Sequence, residues 1–223
     1  MRHHISDDLL LSYEAGSLSE GWSLAVATHL ALCPESRERA RAAAAVGGAL
    51  LEEIDAAPVD ESSLDAVMDR IDASPVQADS QQGGLGGSGQ RHSGREPILP
   101  EPLRSYVGGD VDTIRWRRLG TKAKHLPIKT GDRETSVRLL RIPGGEPVPH
   151  HGHRGTELTL VLSGTLVDGD EIFARGDIEQ ADESVEHQPS AGPGEDCICL
   201  AVTDAPLRFR GMMARLAQPF LRI

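Results

Sequence analysis

Two spacings of apolar residues divide the chain. Up to about residue 73 they recur at helical intervals. The run DDLLLSYEA follows Ser6, a suitable N-cap, and stops at Gly16; a second run covers residues 19–32. Pro34 suits the first turn of a third helix that continues through RERARAAAAVGGALLEE. A fourth is expected over ESSLDAVMDRID, where Leu64, Val67, Met68 and Ile71 fall on one face. Four helices in residues 1–73 predict a small all-α bundle, so short of core that a metal or a partner would help it considerably. Later the period shortens: SVRLLRIPGG, TELTLVLSGTLV, DCICLAVTDAP and LRFRGM alternate or run apolar between Gly and Pro. Residues 98–223 therefore predict an all-β sandwich or barrel of the jelly-roll kind. Between the two, residues 74–97 hold six Gly, no aromatic residue and almost nothing to bury, which predicts a flexible linker.

Composition sharpens this division. At 223 residues, with 39% hydrophobic and only 3% aromatic content, two small domains are a better expectation than one large core. The formal net charge is −11, and residues 1–73 carry most of it: 5 Lys/Arg against 14 Asp/Glu, a net −9. That balance argues against direct binding of nucleic acid or an anionic membrane and favours a basic protein partner. The N-terminus MRHHISDD has no apolar leader and no run approaches a membrane span, so a cytoplasmic location is expected. Cys33, Cys197 and Cys199 are too few for a disulfide framework. Cys197 and Cys199 share one face of an expected strand, where buried small hydrophobes are the first reading and oxidant sensing the second.

The densest chemistry lies in GEPVPHHGHRGTELTLVLSG, residues 145–164. His151 and His153, two apart on a strand, face the same way, and Glu157 keeps that parity if the strand continues; His150 has the opposite parity and is expected to point outward. Two imidazoles and a carboxylate suit zinc, iron or manganese, with zinc the first choice. His187, in GDIEQADESVEH, can supply a fourth ligand from a neighbouring strand. The spacing resembles the first cupin motif, G(x)5HxH(x)3E(x)6G, at every position from Gly145 to Gly164. The second motif, G(x)5PxG(x)2H(x)3N, is kept at Gly176 and His187, whereas Asp182, Ser184 and Ala191 replace its proline, second glycine and asparagine. A metal-dependent cupin enzyme, a dioxygenase or isomerase, is thus the rival class; an acidic helical domain on a tether is what such an enzyme does not need.

In the helical half, His29 and Cys33 are four apart and share a helix face, so they can bind one metal, with a histidine of the pair His3/His4 as a third ligand. Here RHHISDDLLLSYEAGSLSEGWSLAVATHLALC, the Gly-rich linker, the cupin motif and CICLAVTDAPLRF together resemble the ChrR-type zinc anti-sigma factors over nearly the whole chain. The resemblance implies two domains, a helical zinc anti-sigma domain and a cupin holding a second zinc. It also implies sequestration of an extracytoplasmic-function sigma factor, released by singlet oxygen or organic peroxide. It places the N-terminal zinc on His4, His29 and Cys33. The fourth position, a cysteine in the family's HxxxCxxC, is Ser36 here, and a hydroxyl is a poorer zinc ligand than a thiolate.

Overall fold

A computed structural model describes residues 1–73 and 96–209. Nearly all of the expected linker lies outside the described residues, as do residues 210–212 at the end of LRFRGM. Contacts divide the chain into Met1–Gly47 together with Pro97–Ile223, and Gly48–Glu96.

The helices are α1 (Asp7–Glu14), α2 (Glu20–Leu32), α3 (Pro34–Glu52), α4 (Ser63–Ala73) and α5 (Glu101–Val107). Asp7 and Asp8 sit in the first turn of α1, where the helix dipole favours them; Ser6 precedes it in extended conformation without a side-chain cap bond. Cys33 is the extended residue between α2 and Pro34, the first residue of α3. The short α5, which the apolar spacing does not announce, starts after Pro100 and ends at Gly108 in the left-handed region.

The strands are β1 (Arg117–Leu119), β2 (Ala123–Ile128), β3 (Ser136–Ile142), β4 (His151–Gly152), β5 (Glu157–Ser163), β6 (Thr165–Asp168), β7 (Glu171–Ala174), β8 (Ile178–Ala181), β9 (Glu186–His187), β10 (Ser190–Ala191), β11 (Cys197–Thr203) and β12 (Arg208–Phe209). They form an antiparallel six-stranded sheet, β1-β2-β3-β11-β5-β8, and two three-stranded sheets, β10-β6-β7 and β12-β4-β9. Gly164, at φ 67°, makes the turn from β5 to β6, and a Cβ there would lie 2.6 Å from the Asp196 carbonyl oxygen.

Both faces of the six-stranded sheet are buried, by different neighbours. One face packs into a core with Ile142, Val161, Leu166, Phe173, Ala191, Cys197 and Cys199. Leu158, Leu160, Leu162, Leu200 and Val202 turn the other way, into a core shared with Ile5, Leu10, Leu24 and Val26 of the N-terminal segment and with Leu103 of α5. Each such side chain contributes roughly 1.5–3 kcal/mol by leaving water. Helix α2 approaches so closely that a Cβ on Gly21 would lie 2.1 Å from Thr135 Oγ1 and 2.7 Å from Val137 Cγ2.

The helices thus differ from the expected bundle. The core of α1 and α2 includes the sheet, because a strand such as LTLVL is apolar on both faces and needs a cover on each. Helix α4 forms where expected but buries none of its residues.

Candidate metal centres

The barrel centre is built on a cross-strand pair. His151 on β4 and His187 on β9 are direct partners in the ladder. His153 follows just after β4, and all three side chains are buried. The Nε2 atoms of His153 and His187 lie 3.1 Å apart, and those of His187 and His151 3.2 Å. His151 Nδ1 meets the Pro149 carbonyl oxygen at 2.8 Å, and His187 Nδ1 meets Asp168 Oδ2 at 2.8 Å. Neither a carbonyl nor a carboxylate can donate, so both rings carry a proton on Nδ1 and turn Nε2 inward, where the neutral form of each ring offers a lone pair. Lone pairs in such contact repel unless a proton or a cation lies between them. Two nitrogens each about 2.0–2.1 Å from a tetrahedral zinc stand about 3.3 Å apart, so the donor set fits zinc in type and spacing.

Burial, which disfavours the imidazolium, pulls the His151 pKa down to about 4. It also lowers that of His153. At His187 burial acts the same way, but hydrogen bonds and charges from Glu179 and Asp168 outweigh it and raise the pKa to about 9. Asp168, the last residue of β6, and Glu179 of β8, whose Oε1 is 3.5 Å from His187 Nδ1, were not singled out in the sequence. The signal available was an acidic residue inside the short run IEQA between Gly176 and His187.

Glu157 lies differently from the expected continuous strand. The chain bends over residues 153–156, where the Thr156 N–H donates to Asp204 Oδ1 at 2.8 Å, so parity is not carried from His153 to Glu157. The Glu157 carboxylate is 3.9 Å from His153 Nδ1 and accepts from Thr159 Oγ1 at 3.0 Å. Burial raises its pKa to about 7, tempered by the Thr159 bond. Three histidines therefore converge, with Glu157 beside them. His150 is half-buried and stands apart from the convergent nitrogens. Cys197 and Cys199 are buried free thiols, and the Cys199 pKa is pushed well up, first by its hydrogen bond with Cys197.

The N-terminal centre joins four elements of sequence. His4, His29 and Cys33 present ligand atoms within 4.8 Å of one another. His4 Nδ1 is 3.4 Å from Cys33 Sγ. His29 Nε2 is 2.9 Å from Ser36 Oγ, and the Ser36 N–H donates to Cys33 Sγ at 3.4 Å. Ser36 is fully buried, so its hydroxyl faces His29 without solvent between them. The other nitrogen of His29 reaches the Gly176 carbonyl oxygen at 3.0 Å, fixing the Nδ1–H tautomer and leaving Nε2 able to accept. Burial lowers the His29 pKa to about 4, so the ring is neutral, as a metal ligand must be. His3 turns away, its ring on Phe173 with centroids 4.3 Å apart. Two imidazoles and one thiol fit zinc in type; the hydroxyl is the weak member.

Among the described residues no helix is long and apolar enough to cross a membrane. The ChrR Cupin-like domain family matches residues 105–206. The Anti-sigma-E factor ChrR of Cereibacter sphaeroides is 49% identical over 223 residues, covering 100% of this chain and 99% of that protein. A crystal structure of Rhodobacter sphaeroides SigE in complex with the anti-sigma ChrR matches at TM-score 0.76 and 47% identity, over 91% of this chain and 99% of that chain. An RmlC-like cupin protein from Ralstonia eutropha matches at TM-score 0.41 and 20% identity, over 47% of this chain and 71% of that chain.

Proposed function

The chain belongs to the ChrR family of anti-sigma factors, and from that premise we propose that it holds an extracytoplasmic-function sigma factor inactive in the cytoplasm, through its acidic residues 1–73. It is a regulator and not an enzyme. The observation that carries the reading is the surface of α4. Leu64, Val67, Met68 and Ile71 share one helix face and are 68%, 49%, 49% and 60% exposed, while Asp65, Asp69 and Asp72 flank them. An apolar stripe of this kind, edged with carboxylates, suits a partner with an apolar groove and basic rims. DNA-binding surfaces of sigma factors are basic, so covering one excludes promoter DNA.

The barrel centre is the proposed site of zinc, held by His151, His153 and His187 with Glu157 as the adjacent carboxylate. The N-terminal centre is a second, weaker zinc site on His4, His29 and Cys33, with Ser36 at the fourth position. Singlet oxygen or organic peroxide, sensed with the barrel centre, is the proposed trigger for release. A bound zinc would supply charge and a fixed geometry at each centre; the chain's own residues orient the rings and exclude water.

The test titrates the full chain with extracytoplasmic-function sigma factors from its host. Tight binding is expected to weaken by more than about tenfold in a Val67→Asp, Met68→Asp double variant, whose thermal stability should not change because both side chains are exposed. Undiminished binding by the variant would remove α4 from the interface. Failure of the wild type to bind any sigma factor of that group would remove the function.

A further inference from the structure

One short segment touches both centres. The Gly176 carbonyl oxygen takes the Nδ1–H of His29 at 3.0 Å. Asp177, fully buried, accepts the backbone N–H groups of Arg2 at 2.7 Å and His3 at 3.2 Å through Oδ1, and that of Ala174 at 2.9 Å through Oδ2. The Ile178 N–H donates to the His3 carbonyl oxygen at 3.1 Å, one residue before His4. Glu179, the next residue, faces the barrel and pairs with His187 at 3.5 Å, beside Asp168.

We propose that residues 176–179 are a positioning element shared by the two metal centres, so that metal held at one changes the affinity of the other. The inference rests on the metal reading of both centres. Two of the N-terminal ligands owe their placement to this segment: His29 through its bond to the Gly176 carbonyl oxygen, and His4 through the backbone bonds that tie residues 2 and 3 beside β8. At the barrel, Glu179 and Asp168 hold the His187 ring from behind. Such outer partners typically set metal affinity within about 10- to 100-fold. A backbone of four consecutive residues, hydrogen-bonded at its first three and ion-paired at its fourth, has no slack in which to move one end without the other. A shift of this segment that metal favours at one centre is therefore felt at the other, and the coupling must be reciprocal. None of the groups in Asp177's contacts is a ligand, so its role can be separated from ligation.

The experiment loads the full chain with cobalt(II), which gives a thiolate charge-transfer band when bound by Cys33 and only ligand-field bands at a centre of imidazole and carboxylate. Asp177→Ala should weaken the thiolate-band site by about 10- to 100-fold while leaving one cobalt in the barrel. Asp177→Asn, which keeps an acceptor for Arg2 and His3, should recover most of that loss; if the alanine variant does not fold, His187→Ala carries the test. His187→Ala should shift the cobalt affinity of the thiolate-band site by about fivefold or more, although the two share no ligand. Unchanged affinity of that site in His187→Ala, or in a folded Asp177→Ala, would overturn the shared element while leaving both metal sites standing. Absence of any thiolate band in the wild type would overturn the N-terminal metal site itself, and the inference with it.

Discussion

The two candidate metal centres reach similar donor sets by opposite routes. In the barrel, one ladder pair and one bend bring the Nε2 atoms of His153 and His151 to 3.1 and 3.2 Å from that of His187, with carboxylates behind it. The geometry there is local to the β structure. At the N-terminal centre, an extended segment, one helix, the junction after it and the start of the next each give one group, and the ring of His29 is oriented from the sheet by Gly176. The first centre is closed by its own strands; the second is an interface, with a hydroxyl where a thiolate would complete it. A ligand set spread over several elements is only as firm as the packing between them.

The comparison breaks first at the barrel. A full-length His151→Ala, His153→Ala variant should lose about one metal per chain by elemental analysis. Retention of all metal would show that the convergent nitrogens are not ligands.

The weaker centre should respond to completion. Ser36→Cys places a thiolate beside His29 Nε2 and should raise zinc affinity there by more than about tenfold in a chelator competition. Equal affinities in the two proteins would mean that another group already fills that corner.

Separating the helices from the sheet should harm one centre and spare the other. Gly21→Ala puts a methyl group into the contact with Thr135 and Val137, which should cost about 1–3 kcal/mol in urea denaturation. The thiolate-bearing centre should weaken with it, while barrel metal stays at one per chain. A loss of barrel metal instead would make the barrel the dependent partner.

Near neutral pH the smallest effect separates His29 and His151 from His187 in metal-free protein. His29 and His151 have folded pKa values lowered to about 4, so the unfolded chain takes up protons first. Their contribution is complete above about pH 6.5 and is lost as pH falls toward 4. His187, raised to about 9, behaves in the opposite sense: its contribution is complete below about pH 6.5 and is lost as pH rises through 9. Thermal unfolding across this range should show His187→Gln flattening the alkaline limb alone; flattening of the acid limb would reverse the assignment.

Much of this molecule is legible in its chain. The change of period after residue 97 marks helices before and, apart from α5, strands after, since 3.6 and 2 are the spacings that give these backbones a buried face. The spacing of His151 and His153 after Gly145, and of His29 and Cys33 on one helix turn, places pairs of donors because neighbours within a regular element have fixed directions. The opposed faces of Cys197 and Ile198 follow from the same rule and are found in separate cores.

Tertiary structure decided the rest. Parity holds only while a strand is regular, and the bend at residues 153–156 removed Glu157 from the convergent nitrogens. That His187 pairs with His151, and that Asp168 and Glu179 stand behind it, depends on which strands become neighbours, a choice made by the closure of the sheets. An apolar stripe says that a face needs cover without saying what covers it. The residues of α1 and α2 found theirs on the six-stranded sheet, while Leu64, Val67, Met68 and Ile71 of α4 found none within the chain's described residues. Hydrophobic burial is non-directional, so the pattern alone cannot distinguish a face built for the core from one built for a partner.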